Sequence, residues 1–166
     1  MFPQHPLSDG VVRLRQWHLD DADWYVECTR DPEIQRWTTE PPDLDVATAR
    51  AAIEHAVADR LVALAITDAA TGELLGNLAL SPTGELSYWL APAARGRGVA
   101  TRAVRLLVGW AWKSGVDRVE LHAHVDNVGS QRVAERAGFR RDRVQRAARV
   151  VKGRTWDVVW YAIDRP

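Results

Sequence analysis

The stretch LAPAARGRGVATRAVRLLVGWAW, residues 90–112, decides the fold and places the first candidate site. Arg95, Gly96, Arg97 and Gly98 stand directly before apolar residues that recur every three to four positions, which predicts a helix with one buried side. The first N–H groups of a helix have no intrahelical partner and lie at the positive end of its dipole. Glycines let an anion approach that backbone, and Arg95, Arg97 and Arg102 add charge, so the loop predicts a phosphate site.

The composition indicates a globular protein without a strong electrostatic preference. The chain has 166 residues, enough for one domain spanning 1–166, and its 22 basic residues balance its 22 acidic ones. Nucleic acid and membranes are therefore not expected partners, and no segment reaches the roughly 20 apolar residues that span a bilayer. The single cysteine, Cys28, cannot form an internal disulfide, which predicts a cytoplasmic location. Cys28 lies in a helical stretch, where packing is favoured over a nucleophilic role.

Periodicity and turn residues predict one strand, two helices, three strands, a helix, a strand, a helix and two final strands. In that order they are a strand at 10–17, a helix begun by Asp20 and ended by Pro32, a loop at 36–43, a helix from Asp45 to about Arg60, strands at 61–68, 74–80 and 85–91, the helix after the glycine loop, a strand at 118–125, a short helix at 127–139 and a hairpin turning at Lys152–Gly153. The unit over 86–125 is expected to be parallel and right-handed. The predicted fold class is α/β, with a mixed, mostly antiparallel sheet of seven strands flanked by about four helices.

Four stretches in the same order resemble a known family. The run Arg95-Gly96-Arg97-Gly98-Val99-Ala100 is similar to the acyl-CoA loop of the GNAT N-acetyltransferases, Arg/Gln-x-x-Gly-x-Gly/Ala. SYWL (87–90) resembles that family's fourth strand, and HVDNVGSQRVAERAGF (124–139) its second signature. DPEIQRW (31–37), followed by PPDLDVATARAAI (41–53), resembles the opening of the RimJ/RimL-like branch, and WDVVWYAI (156–163) its last strand. Neither a Walker loop nor a dinucleotide fingerprint is matched.

The resemblance implies an acetyl-CoA site in a gap where the fourth and fifth strands splay apart. The pyrophosphate would lie on the amides that follow Arg95, and a backbone N–H near Trp89–Leu90 would polarise the thioester carbonyl. The acceptor amine would attack that carbonyl directly, with both substrates bound and no metal required. The residues implied in acetyl-CoA binding are Trp89, Leu90, Arg95, Gly96, Arg97, Gly98, Val99, Ala100, Thr101, Asn127 and Ser130.

The proton-transfer residues are less sharply specified. Ser130 matches a residue that can protonate the CoA thiolate, although a serine in a first helical turn can also be merely solvated. Asn127 matches the family's asparagine and is equally suited to cap the last helix. The family has no universal general base, and Glu85, His122 and His124 remain open candidates. The two histidines could instead lie at the surface or bind a metal, but no further ligand joins them, and no metal is expected.

The acceptor cannot be identified from these residues, although two features bear on it. The lack of a decisive base favours an α-amine, with a pKa of about 7.7–8, over a lysine amine near 10.4. Trp37 would help to wall the acceptor pocket. The main interpretation is acetyl transfer to a primary amine such as a protein N-terminus. The alternatives are a small-molecule acetyltransferase for an antibiotic, polyamine or amino acid, and a non-catalytic acyl-CoA-binding module. An exposed final hairpin would also allow two chains to pair as a homodimer.

Overall fold

Two antiparallel sheets meet side by side in the computed structural model, which describes residues 3–59 and 61–166. The five-stranded sheet has the order β1-β2-β3-β4-β5, and the three-stranded sheet has the order β6-β8-β7. The strands are β1 (Leu7–Ser8), β2 (Val12–Gln16), β3 (Val62–Asp68), β4 (Leu74–Leu80), β5 (Leu86–Leu90), β6 (Arg118–His124), β7 (Arg140–Val151) and β8 (Arg154–Asp164). The helices are α1 (Ala22–Thr29), α2 (Pro32–Trp37), α3 (Val46–Ala58), α4 (Val99–Lys113) and α5 (Val128–Ala137).

Within the described residues, backbone hydrogen bonds join the two sheets only where β5 and β6 begin. Glu85, just before β5, forms a parallel bridge with Glu120, whose N–H donates to the carbonyl of Gly84 at 2.9 Å. Beyond that bridge no ladder joins β5 and β6 within 3–59 and 61–166, so a gap opens toward their carboxyl ends. The two-residue β1 precedes the seven predicted strands, so the predicted fourth and fifth strands are β5 and β6 here. The prediction that these two strands splay apart is confirmed.

The helices cover opposite faces of the five-stranded sheet. Leu64 and Ile66 of β3 pack in a core with the buried side of α4, which includes Leu107. Ala65, between them, faces the other way and packs with Trp17 and with α1 and α3. Truncating the fully buried Leu107 to alanine would cost about 2–5 kcal/mol. The buried α4 is therefore a rigid support for the loop that precedes it.

Capping residues set several helix ends as predicted. Asp45 begins α3 by accepting the Thr48 N–H at 2.7 Å. Gly138 ends α5 in the left-handed region, with φ of 99°, and Phe139 is buried behind it. The helix α3 ends at Ala58, and Arg60, near which its end was predicted, lies outside the described residues. No helix within the two described ranges is both long and apolar enough to cross a bilayer.

Two local predictions were wrong. Pro32 does not end a helix but begins α2, because Asp31 accepts the Ile34 N–H at 3.0 Å and a proline at the first position needs no donor. The described residues accordingly hold five α-helices rather than about four, and the predicted loop at 36–43 begins only after Trp37. Asp20 does not cap a helix either, since it lies inside a 3₁₀ turn at Leu19–Asp21.

Candidate active site

The gap between β5 and β6 opens into a cleft of about 1320 Å³ that reaches both faces of the sheet. One half is lined by the glycine loop, the start of α4 and one side of α5, and the other by α2, the face of β6 that carries its histidines, and β7. Every site residue predicted from the sequence lines this cleft except Arg97 and Arg102. Arg97 is exposed and points its guanidinium at the Ala93 carbonyl 3.5 Å away. The topology therefore gathers residues that lie up to 93 positions apart along the chain, from Trp37 to Ser130, around one opening.

The loop before α4 has the geometry of an anion cradle. Gly96 and Gly98 have φ of 73° and 75°, a region that other residues enter only at a cost. A Cβ built on either glycine would meet no atom within 4 Å, so the space in front of the loop is open. No side chain caps the N-terminus of α4, and its first amides are left for an external acceptor. This arrangement suits a pyrophosphate group.

Two of the three predicted phosphate-site arginines, Arg95 and Arg102, are paired with carboxylates. Arg95 pairs with Asp31 at 2.5 Å and donates to the Leu90 carbonyl at 3.1 Å, which fastens the loop to the start of α2 and the end of β5. Partial burial acts to raise the pKa of Asp31, but the Arg95 guanidinium and the Ile34 N–H outweigh it and hold that pKa below its ordinary value. Arg102 pairs with Asp9 at 2.8 Å. Both side chains therefore stabilise the loop before they meet any ligand.

Two further arginines, not identified from the sequence, line the phosphate half of the cleft. Arg132 and Arg136 lie four positions apart on α5, and Gly129 and Val133 of the same helix also line the cleft. Residues at these spacings share one face of a helix. The four-residue spacing could have identified these arginines from the sequence, because it places them on the side of α5 that begins near Ser130.

Strand β5 presents one backbone edge to the gap. The N–H of Ala91 donates to a β4 carbonyl at 2.9 Å, and residues of an antiparallel pair alternate between bonding to the neighbour and facing away. Trp89 therefore bonds to β4, whereas Tyr88 and Leu90 direct their backbone groups toward the gap. Since the Leu90 carbonyl accepts from Arg95, the Leu90 N–H is the donor directed into the cleft beside the loop. Between the two residues predicted for the oxyanion role, Leu90 has the suitable orientation.

Ser130 is positioned by two hydrogen bonds in the first turn of α5. Its N–H donates to the Asn127 side chain at 3.1 Å, so Asn127 caps the helix and lines the cleft as well. Its hydroxyl accepts from the Tyr88 hydroxyl at 3.2 Å. Burial raises the pKa of Tyr88 to about 12, so this phenol stays protonated and remains a donor near neutral pH. The hydroxyl proton of Ser130 is left to donate elsewhere, a consequence that depends on Tyr88, which sequence reasoning missed.

Glu85 and His122 come together with Arg149 on the opposite face. Nδ1 of His122 and Nη2 of Arg149 each lie 2.8 Å from the same Glu85 oxygen. The Glu85 oxygen lies off the axis of the imidazole N–H, which makes the His122 contact electrostatic rather than a well-aligned hydrogen bond. Burial and then the Arg149 cation lower the pKa of His122, and Glu85 only partly opposes them. A neutral imidazole at neutral pH can accept a proton, and Glu85 would stabilise the resulting cation.

Aromatic rings form one wall of this half. The ring of Trp37 lies 5.3 Å from that of His124 and 6.2 Å from that of Trp156, and its Nε1 donates to Glu33 at 2.9 Å. Nδ1 of His124 accepts the Asp126 N–H at 3.1 Å, so a neutral His124 carries its proton on Nε2 and offers no free basic nitrogen. His122 is therefore the better placed of the two histidines for proton transfer.

Cys28 takes no part in the cleft. It is half-buried in α1, and burial together with Glu27 and Asp31 raises its thiol pKa to about 11. A thiol that stays protonated is a poor nucleophile, which agrees with the predicted packing role.

Comparison with known proteins identifies this architecture. Residues 12–140 match the family model described as an acetyltransferase (GNAT) domain. The chain is 27% identical over 163 residues to the uncharacterized N-acetyltransferase p20 of Bacillus licheniformis, an alignment that covers 92% of each chain. A GNAT-family acetyltransferase of Bacillus anthracis has the same fold, with a TM-score of 0.86 at 17% identity over 96% of this chain and 98% of that one.

A second solved structure carries the coenzyme. RimL, a ribosomal L7/L12 α-N-protein acetyltransferase in complex with coenzyme A, matches with a TM-score of 0.81 at 20% identity, over 96% of each chain. The family match spans β2 to β6 and so includes β5, the glycine loop and β6. The chain belongs to the GNAT acetyltransferase family and is an acetyl-CoA-dependent N-acetyltransferase.

Proposed function

We propose that this enzyme acetylates a primary amine by direct attack on acetyl-CoA in a ternary complex, and that a protein N-terminal α-amine is one such acceptor. The observation that carries the proposal is the cleft that passes through the sheet. An anion cradle lies at its α4 end, a neutral histidine lies on the other face, and the Leu90 N–H points into the gap. RimL, whose fold this chain shares, acts on a protein α-amine.

Acetyl-CoA binding would use the α4 half of the cleft. The amides after Gly98 would accept the pyrophosphate, and Arg132 and Arg136 would add positive charge for further phosphate. The pantetheine arm would run along the open edge of β5, where the backbone groups of Tyr88 and Leu90 lack a strand partner. This placement leaves the thioester at the gap, where the two faces of the sheet communicate.

The transfer itself then needs two proton movements. The amine nitrogen bonds to the thioester carbon while the Leu90 N–H stabilises the oxyanion, a contribution typically worth about 10²–10³ in rate. The amine proton passes to His122 at Nε2, with Glu85 beside Nδ1. The carbon–sulfur bond breaks, and Ser130 donates its proton to the departing thiolate. Ser130 then regains a proton from solvent, and His122 releases to solvent the proton that it took from the amine. The products are an amide and the CoA thiol, so the proton lost by the amine equals the one gained by sulfur.

Mass spectrometry and CoA release together test the proposal. The protein and acetyl-CoA are incubated with ribosomal proteins, N-terminal peptides and small amines, and acetyl gain and free thiol are measured. Wild type is expected to modify an α-amine, and His122→Ala to lose most of that activity, by about 10²–10⁴ in rate. Binding of acetyl-CoA without release of CoA on any amine would overturn the proposal and leave a non-catalytic acyl-CoA-binding module.

A small-molecule amine is the second candidate acceptor. Four carboxylates line the His122 side of the cleft or its rim, Glu33, Glu40, Asp59 and Glu85, and they favour a cationic molecule over a neutral one. The same assay separates the two candidates, because the small amines and the peptides are presented separately.

A further inference from the structure

Glu40 is a carboxylate fixed in place by two neutral donors. It lies in the segment between α2 and α3, and its Oε1 accepts the Tyr25 hydroxyl at 2.6 Å and the Trp89 indole N–H at 3.0 Å. The Trp89 ring is itself held between Trp24, stacked at 6.1 Å, and the edge of Tyr25 at 5.1 Å. Burial and then the Glu40 charge raise the pKa of Tyr25 far above its ordinary value, so the phenol remains a donor. Both hydrogen bonds fall on Oε1, which leaves Oε2 for another partner.

Glu40 also differs in charge pairing from the other carboxylates of the cleft. Glu33 has the Arg36 guanidinium at 3.8 Å and Glu85 has the Arg149 guanidinium at 2.8 Å, and a nitrogen of the His55 ring lies 3.2 Å from Asp59. Within the described residues, no basic side chain lies within 4 Å of Glu40.

Lys152 is the cation that acts on Glu40 from a distance, and it is already engaged. The Glu40 charge raises the pKa of Lys152, although burial lowers it by more. The Lys152 ammonium donates to the carbonyl and side-chain oxygens of Gln35, at 2.8 and 2.7 Å. Among the residues 3–59 and 61–166, therefore, hydrogen-bond donors orient the Glu40 carboxylate and no cation lies within 4 Å to neutralise it.

The cleft leaves room beside this carboxylate. Trp89, which holds Glu40, precedes Leu90, the residue whose N–H enters the gap. The strands on this face contribute small side chains to the cleft, namely Ala63, Asn77, Ala79 and Ser87. A ligand reaching from the thioester toward α2 would thus pass over a floor of short side chains and meet the Glu40 carboxylate.

We infer that Glu40 binds a second positive charge on the acceptor, so the preferred acceptor is an amine that carries another cationic group. The inference rests on the proposed function and deepens it. The group bound is not the reacting nitrogen, because a carboxylate beside that nitrogen would stabilise its ammonium form, which has no lone pair for attack. Glu85 and His122 already supply the proton acceptor elsewhere. The second charge can come from a diamine or from a basic residue that follows a peptide N-terminus.

Paired acceptors test this inference. The probes are 1,5-diaminopentane against 5-amino-1-pentanol, and peptides beginning Ser-Lys against Ser-Gln. Glu40→Gln keeps the shape and can still accept from Tyr25 and Trp89, but it removes the charge. It is expected to lower kcat/KM about 10–100-fold for the acceptor of each pair that carries the second charge, through KM, and less than about 3-fold for its neutral partner. The pair with the larger change identifies the source of the charge.

The control and a turnover-free readout make the outcomes separable. Glu27→Gln removes the same charge from the exposed side of α1, outside the cleft, and is expected to leave both pairs unchanged. The diamine and the Ser-Lys peptide are each titrated calorimetrically into the enzyme–CoA complex, and binding of at least one of them is expected to weaken at least about 10-fold in Glu40→Gln. That result supports the inference even if no amine is acetylated, in which case only the proposed function fails. Equal loss for the charged and neutral acceptors of both pairs, or unchanged binding of both the diamine and the Ser-Lys peptide, overturns the inference.

Discussion

A methyl group added at Gly98 tests whether the loop before α4 holds a phosphate. Gly98 has φ of 75°, and a Cβ there would meet no atom within 4 Å, so Gly98→Ala brings backbone strain without a clash. The left-handed conformation costs an L-residue about 1–2 kcal/mol. For a domain of this size that cost lowers the melting temperature by about 2–8 °C. The methyl also occupies the space through which a phosphate would reach the amides, and one lost bond to a charged group weakens CoA binding about 10–100-fold.

Gly109, within α4, provides the matched control. A Cβ at Gly109 also meets nothing within 4 Å, but its backbone is right-handed helix, where Gly→Ala gains about 0.5–1 kcal/mol. Gly109→Ala should therefore raise the melting temperature and leave the CoA dissociation constant unchanged. Thermal unfolding and calorimetric titration with CoA measure both quantities, and Gly98→Asp, which adds negative charge, should bind CoA more weakly than Gly98→Ala. If both Gly98 variants bind CoA as tightly as the parent, the loop does not contact phosphate.

Three further predictions concern catalysis. Ser130→Ala should lower kcat about 10–100-fold with acetyl-CoA affinity intact, and an unchanged kcat would reduce Ser130 to a helix-turn residue. Trp37→Ala should raise the acceptor KM and leave acetyl-CoA affinity unchanged in titration; a change in CoA affinity alone would contradict it. Because the pKa of His122 is lowered, kcat/KM calculated for the unprotonated fraction of the acceptor amine should stay constant down to below pH 6.5 and fall at more acidic pH. Arg149→Met removes a cation that lowers this pKa, so the acid limb should move to higher pH; an unmoved limb would exclude His122 as the base.

Local signals predicted most of the fold. The caps Asp45 and Asn127 and the left-handed Gly138 act within four residues of themselves, so their positions can be read from sequence. The failure at Pro32 was also local, since Asp-Pro can follow one helix and begin another. At such a point the helical segments can be separated by two residues, as here, or by a longer loop. The length of the interruption depends on the contacts that the second helix makes, and the neighbouring sequence does not specify those contacts.

The chemistry of the site depends on contacts that no local pattern carries. Tyr88 reaches Ser130 across 42 positions, and Trp89 reaches Glu40 across 49. The basic loop predicted arginines aimed at phosphate, but Arg95 is paired with a carboxylate 64 positions away. Composition gives the number of charges, whereas the fold decides which of them remain unpaired. Glu40 was overlooked for that reason, since nothing near it in sequence distinguishes it from an ordinary surface carboxylate.

Burial and the Arg149 charge together set the pKa of His122 in the Glu85–His122 pair. A carboxylate alone beside an imidazole favours the imidazolium, which has no lone pair to accept a proton. Because the imidazole is buried, and because the Arg149 guanidinium lies 2.8 Å from the same Glu85 oxygen, the pKa of His122 falls instead. The resulting weak base can take a proton readily only from an amine that is already partly unprotonated or that loses its proton as the new bond forms. An α-amine with a pKa of about 7.7–8 meets that condition near neutral pH better than a lysine amine near 10.4. A second positive charge on the acceptor would destabilise the ammonium form and so lower the pKa of the reacting amine. Amines other than α-amines would then also be partly unprotonated near neutral pH.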